Sequence, residues 1–453
     1  MVKWTNTAKS QGGRIMQSST YLISDVAANE MHDYAMYTIS NRAIPNMYDG
    51  LKPVQRFYLY SSLVNSKKDY KKVSAVSGVV SDYGYQHGET SAAGAGQLMA
   101  ATWNNNVCLV EGRGSFGTRQ VQEAGAARYV YTRVHENFNK YIKDLDLAPE
   151  HEDPEHTPPQ FYIPVLPLVL ANGTKGIATG FATNILPRGV QALADACREY
   201  LSTGRIAERL AVEFPDFAGT TDYDASIDRF VCTGVYHKPS PTRMVITEIP
   251  YGFDRESYVK ILDKLEDDND IVSYDDQCGT HGFRFDIKLK QNTSAKWSAD
   301  KIVKNFKLAK NHSENLTVID ENFNLREYTD EREIIVDFCN YRLGVLQDRI
   351  NARIVEYTEQ DRWLRVKMEF ILAVLDDKIK FKGNKKDQVA QQILATTSAL
   401  PEDTDRLLRL NIMTLTQEQV TELQKELKEN TKTLKYWKST TPNQQFVEDL
   451  DEL

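Results

Sequence analysis

The spacing of apolar positions changes several times along the chain, and each change marks an element. Helical spacing begins near Ser24, places Ala27, Met31, Tyr34, Ala35 and Met36 on one face, and must stop before Pro45. Residues 46–50 read as a loop, and Pro53 suits the first turn of a helix running to about Leu63. Residues 73–84 predict another short helix, 84–88 a turn with glycines at both ends, and Ser91 opens a helix through Trp103. Two short helices joined by a tight glycine-bearing turn are the pattern of a helix-turn-helix. The second of them is rich in small residues (Ala92, Ala93, Gly94, Ala95, Gly96), which serve close approach to a duplex and close packing on another helix equally well.

Beyond this region the pattern changes twice. Residues 144–160 form an acidic, proline-bearing connector, and 161–187 alternate apolar runs with Asn172-Gly173 and Gly176. Residues 187–330 mix short helices with β-type runs such as 244–249 and 283–289, which predicts an antiparallel α+β domain. From about 331 a seven-residue spacing appears in Leu343, Ile350, Tyr357, Leu364 and Ile371, with its companion seam broken by Arg353, Gln360 and Lys367. Val420, Leu427 and Leu434 repeat the spacing, so two long helices around an insert of about 376–415 read as an antiparallel coiled-coil arm or as amphipathic helices of a bundle.

Composition narrows the class. The 453 residues are 41% hydrophobic and 26% charged, ordinary for a globular chain of several domains. The most apolar stretch, 161–171, is short and contains two prolines, so it does not read as a membrane span. The start of the chain lacks an apolar core of the secretory type, and residues 1–20 read as a flexible extension. Five scattered cysteines without a C-x-x-C pair point to a reducing, cytoplasmic compartment. No zinc-type histidine spacing or phosphate loop occurs, which places any nucleotide chemistry on another chain. The net charge of −8 argues against nucleic acid only until it is divided. Residues 37–140 hold twelve Lys/Arg against seven Asp/Glu, +5, which leaves −13 for the rest. Screening makes phosphate binding a local matter, so a basic module can work inside an acidic chain.

The run Ala126-Ala127-Arg128-Tyr129 carries the candidate chemistry. A phenol with pKa near 10 is a weak nucleophile at neutral pH, and an adjacent guanidinium favours the phenolate while also binding phosphate. Arg-Tyr in a basic module is therefore a plausible pair for attack on a phosphodiester, although the chain holds 23 tyrosines and most must be structural.

Residues 29–60, with the pattern R-A-x-P-x-x-x-D-G-L-K-P-x-x-R, resemble the opening of the DNA-breaking, gyrase A-like subunit of type IIA DNA topoisomerases. The likeness continues in order through Tyr85-Gln86-His87-Gly88-Glu89, residues 112–119, Arg128-Tyr129, residues 172–180, residues 246–250 and residues 439–451. Gln86 departs from the family pattern, which has His or Pro in many members, while His87 keeps it. The expected lack of ATPase, Toprim and DNA-wrapping domains points to the phage-type split enzyme.

The resemblance implies an α+β multidomain fold: an extension over 1–20, a winged-helix breakage-reunion domain over 21–157, a tower domain over 158–330, and an antiparallel coiled-coil arm with a helical C-gate over 331–453. It implies Tyr129 as the nucleophile that forms a 5′-phosphotyrosyl link, Arg128 and Arg42 as phosphate-neutralising groups, and His87 as an orienting group. It assigns Lys52, Arg56 and Arg119 to the DNA backbone and Ile177 to a wedge that kinks the duplex. Partners would be double-stranded DNA, a second copy of the chain, and a large ATPase/Toprim subunit that holds ATP and most of the Mg2+ ligands. Two other classes fit parts of the sequence: a non-catalytic winged-helix DNA-bending scaffold, which would leave DNA intact, and a coiled-coil dimerisation protein, which would show no salt-dependent DNA affinity.

Overall fold

The computed structural model describes residues 30–411 and 416–453. The predicted extension over 1–20 and the start of the first predicted helix lie outside them. The chain forms two compact units, one through Asn340 with the last two residues, the other Tyr341–Asp451.

In the first unit, α1 (Glu30–Thr38) runs into a π-helical turn, Ile39–Ala43. Pro45 stops it, as the sequence requires. Residues 46–50 then dock on α6 (Leu168–Asn172), and Gly50 makes this possible. Its φ is +66°, and a Cβ there would come within 2.7 Å of the Val169 backbone. α2 (Pro53–Asn65) buries Phe57, Tyr58 and Leu59. It packs against α4 (Glu89–Met99), and α3 (Val73–Gly78) packs against both. A 3-10 turn, Val80–Tyr83, and Gly84 at φ +98° divide α3 from α4, so the predicted helix over 73–84 is broken near its middle and the next helix ends before Trp103. Strands β1 (Lys71–Lys72), β2 (Val110–Arg113) and β3 (Tyr131–Val134) form an antiparallel sheet in the order β1-β3-β2. A short helix, α5 (Phe138–Tyr141), follows β3.

After α6 comes the hairpin β4 (Thr174–Ile177) and β5 (Ala182–Ile185), then α7 (Val190–Thr203). Strands β6 (Thr220–Asp224) to β14 (Leu325–Tyr328) pair antiparallel throughout. The largest sheet, β10 (Ile271–Asp276), β11 (Phe285–Leu289), β9 (Arg243–Glu248) and β8 (Val235–Ser240), is covered by α8 (Arg255–Asp267). Their shared core includes Met244, Ile246, Tyr258, Leu262, Phe285 and Ile287. Asp254 caps α8 by accepting from the Ser257 amide at 2.8 Å. The smaller sheet is β12 (Ala309–His312), β7 (Arg229–Thr233) and β6, and α9 (Ala299–Asn305) precedes β12.

α10 (Glu331–Leu375) starts in the first unit and gives most of its 45 residues to the second. There it runs antiparallel to α13 (Gln417–Ser439): Asn430 Nδ2 donates to the Tyr357 carbonyl at 2.9 Å, and Thr431 Oγ1 to Asp361 at 2.8 Å. Between residues 351 and 365 no position of α10 is fully buried, so the heptad stripe is half-covered there. Cores form at each end of that stretch. At one end the insert helices α11 (Lys386–Thr396) and α12 (Asp403–Leu408) bury Val389, Ile393 and Leu407 with Phe370, Ile371, Val420 and Leu423. At the other end Asp449 of α14 (Pro442–Asp451) receives Arg342 at 2.7 Å and Arg349 at 2.8 Å.

Candidate active site

The helix-turn-helix region is built by exclusion of volume. Gly96 lies on the Tyr58 ring so closely that a Cβ would sit 2.1 Å from Cζ. Ala92 and Ala93 are buried beside it. Small residues on α4 thus serve packing on α2, while Thr90, Ser91 and Leu98 face outward. Of the two uses its sequence left open, the small residues are seen in helix packing.

Tyr129 sits on the turn that leads into β3. The backbone of this turn is held from beneath by the start of α3, where the Val73 amide donates to the Val130 carbonyl at 3.0 Å and the Ser74 amide to the Ala127 carbonyl at 3.1 Å. The Tyr129 amide closes the turn on the Ala126 carbonyl at 2.8 Å. With the backbone so anchored, the side chain projects and is 68% exposed. The Arg128 guanidinium carbon lies 4.8 Å from the centre of the Tyr129 ring, a cation–π distance. An exposed phenol with a cation beside it can accept a bulky phosphodiester without opening the core.

Arg42 and His87 both neighbour Tyr85. Arg42 projects from the π-helical turn and is exposed. Its charge acts on Tyr85, whose phenol burial pushes up and Arg42 pulls down. The Tyr85 ring lies edge-on to His87 at 5.5 Å and packs on Phe57 at 5.4 Å. His87 Nε2 is hydrogen-bonded to the Tyr37 hydroxyl at 2.7 Å. Tyr37 escaped notice in the sequence because one tyrosine on an exposed helical face carries no pattern. Tyr85 lay within a noted motif without an assigned role.

The expected DNA-contact residues divide. Ile177 ends β4 and is 79% exposed. Its hairpin is seated against the arginine-bearing turn, since a Cβ on Gly176 would fall 2.0 Å from the Ala43 carbonyl oxygen. Lys52 is half-buried, its Nζ donating to the Lys175 carbonyl at 2.7 Å, and burial lowers its pKa. Arg56 and Arg119 require correction. Arg56 is buried and grips Asp49 through two nitrogens at 2.9 and 3.1 Å. Asp49 also takes the Tyr162 amide at 3.0 Å, so this pair fastens the 46–50 loop from inside. Arg119 is buried too, bonded to Glu248 at 2.9 Å and to the Ile249 carbonyl at 3.2 Å, with its guanidinium over the Tyr251 ring. Neither side chain is placed to reach a phosphate; their charges were spent on carboxylates that the sequence did not reveal.

Among the described residues no group of three or more His, Cys, Asp or Glu side chains is arranged to hold a metal ion.

Residues 42–451 match a family profile for the A-type subunits of DNA gyrase/topoisomerase IV. The chain is 40% identical over 447 residues to the DNA topoisomerase medium subunit of Enterobacteria phage T4, covering 97% of this chain and 100% of that one. It is 27% identical over 478 residues to DNA topoisomerase 2 of Plasmodium falciparum, covering 95% of this chain but only 34% of that protein. The crystal structure of the Plasmodium falciparum topoisomerase II DNA-binding, cleavage and re-ligation domain superposes with a TM-score of 0.84 at 26% identity, over 94% of this chain and 63% of that one. With its fold, its ordered motifs and its full-length likeness to the phage subunit in agreement, the chain belongs to the gyrase A-like family of DNA gyrase/topoisomerase IV, as a breakage-reunion subunit of a type IIA topoisomerase.

Proposed function

We propose that Tyr129 is the nucleophile of DNA breakage. The observation that carries this reading is the outward phenol on a rigid turn, with the Arg128 guanidinium 4.8 Å from its ring. The Tyr129 oxygen attacks a backbone phosphorus, the P–O3′ bond breaks, and a 5′-phosphotyrosyl ester forms. The phenolic proton is lost, and the released 3′ oxygen gains one. One phosphodiester replaces another, so the reverse attack by the 3′-hydroxyl reseals the strand without ATP. Arg128 and Arg42 would neutralise charge on the phosphate as it grows in the transition state, and His87 would orient the same group. Mg2+, when bound by carboxylates of a large Toprim subunit, would supply further charge stabilisation, and ATP would act on that subunit.

The domain assignment belongs to the same reading. Residues 21–157 act as the winged-helix domain and 158–330 as the tower, with Ile177 wedging between base pairs. Residues 331–453 act as the arm and C-gate of a homodimer. Two copies of Tyr129 would cut opposite strands with a stagger, and passage of a second duplex would relax and untangle DNA. Lys52 remains a candidate backbone contact, whereas Arg56 and Arg119 take internal roles.

The test is Tyr129→Phe, assayed with the large partner and Mg2+. The variant should bind duplex DNA like the parent and form no denaturant-resistant protein–DNA adduct. Adducts that persist in the variant would overturn the assignment.

A further inference from the structure

A cleft of about 590 Å³ opens beside the wedge hairpin, between the N-terminus of α2, the end of α4 and the edge strand β12. Three lysines from three separate elements line it: Lys52 at the start of α2, Lys175 on β4 and Lys310 on β12, with His312 two residues further on. Among the lining residues the single carboxylate is Asp49, and both its oxygens are engaged by Arg56. No ion pair forms on any of the three lysines among the described residues. Lys52 Nζ and Lys310 Nζ donate only to backbone carbonyls, of Lys175 at 2.7 Å and Gly252 at 2.8 Å.

Cations gathered without a counter-charge cost free energy, and the cluster shows that cost. Burial first, and the Lys175 charge as well, hold Lys310 below the usual lysine range. Burial, Lys310 and Lys175 do the same to His312. An anion in the cleft would relieve desolvation and repulsion together. Each lysine would keep donors to spare, since an ammonium has three.

We propose that this cleft is a seat for backbone phosphate of the bound duplex, shared by Lys52, Lys175 and Lys310. It rests on the DNA-breakage reading and deepens it, because Lys310 lies in no motif of the family pattern and Lys175, inside the 172–180 motif, had no role assigned to it. The seat adjoins the hairpin whose tip carries the exposed Ile177, so a strand distorted by that wedge has a fixed cationic landing point next to it. Lysines from three elements around one phosphate would also hold β12 and β4 in place relative to α2 while DNA is bound.

The experiment is duplex binding by the full chain at several salt concentrations, without divalent metal, for the parent, Lys175→Gln, Lys310→Gln and the double variant. Each lost contact should reduce the slope of log affinity against log salt by about 0.9. Because the lysines share one phosphate, the double variant should lose at most that one contact, roughly fivefold in affinity near 0.15 M salt. Lys310→Arg should restore most of the slope, and thermal melting identifies any variant that has lost its fold. Because Lys175 is exposed, Lys175→Gln tests the seat even if Lys310 substitutions unfold the chain. Parental slopes in the folded variants overturn the proposal. Inorganic tripolyphosphate separates a duplex seat from a site for free polyphosphate. Competition with duplex that is lost in Lys310→Gln supports the proposal, and tripolyphosphate binding through Lys310 with an unchanged duplex slope overturns it. Tyr129→Phe retains all three lysines and should keep the parental slope, so a failed nucleophile and a failed seat give different results.

Discussion

Arg56 and Tyr129 show how a motif position divides into chemistry and structure at the scale of single residues. Both lie in segments that the family pattern marks, yet one side chain is buried on a carboxylate and the other is 68% exposed. The difference lies in partners distant from the motif, or hidden within it, which pairing in space reveals. Arg56→Ala would leave the Asp49 carboxylate buried without its counter-charge. It is expected to cost about 3–5 kcal/mol, read as a lowered urea midpoint with unchanged slope. Tyr129→Phe removes an exposed hydroxyl and should leave that midpoint where it was. A backbone contact through Arg56 would predict the opposite order of effects, weaker DNA binding in a protein of parental stability.

Elements show the same division between patterns that speak and patterns that stay silent. The α3–turn–α4 segment was legible because Gly84 and Gly88 punctuate it, though its boundaries shifted where α3 ends at Gly78 and a 3-10 turn takes over the rest of the 73–84 run. The small-residue face of α4 was legible as close approach but not as approach to what. Its partner is the Tyr58 ring. Gly96→Ala should therefore overpack this contact and cost about 1–3 kcal/mol, measured by chemical denaturation. A glycine used only for proximity to DNA would lose affinity instead and keep its stability. In the second unit, Arg362 ties α10 to Asp403 of α12 through bonds of 2.6 and 3.0 Å. That guanidinium holds the Asp403 carboxyl below the usual aspartate range. A carboxyl depressed in the folded state adds its full stability above the unfolded pKa, about 3.9, and loses it as pH falls through the lower folded value. Asp403→Asn should cost roughly 1–2 kcal/mol near neutral pH. Its deficit against the parent should shrink below about pH 4, as followed by urea unfolding across pH.

For the whole molecule, the decisive question is where one unit ends. The heptad spacing set the arm's start near 331, but Glu331 is buried in the first unit, where its carboxylate accepts the Leu210 amide at 2.9 Å and Arg209 at 3.1 Å. Ile334, Ile335, Phe338 and Cys339 are buried as well, and the compact unit closes at Asn340. Truncation after Asn340 should leave a cooperatively folding first unit with reduced self-association. Truncation before Glu331 should lose stability, because Arg209 and the buried Leu210 amide lose the Glu331 carboxylate. Sedimentation and thermal melting of the two fragments check both halves of this expectation, and equal stability of the two would refute it.

The α+β class, the order of most elements and the family could be read along the chain, because periodicity, turn residues and ordered motifs are local and survive without coordinates. Tertiary structure alone decided which arginines face inward, what α4 packs against, where the long helix leaves the first unit, and that three lysines up to 258 positions apart in the chain, from Lys52 to Lys310, line one cleft. Those outcomes depend on distances between residues remote in sequence. A charge is free or spent according to what folding brings beside it, and no spacing along the chain records that.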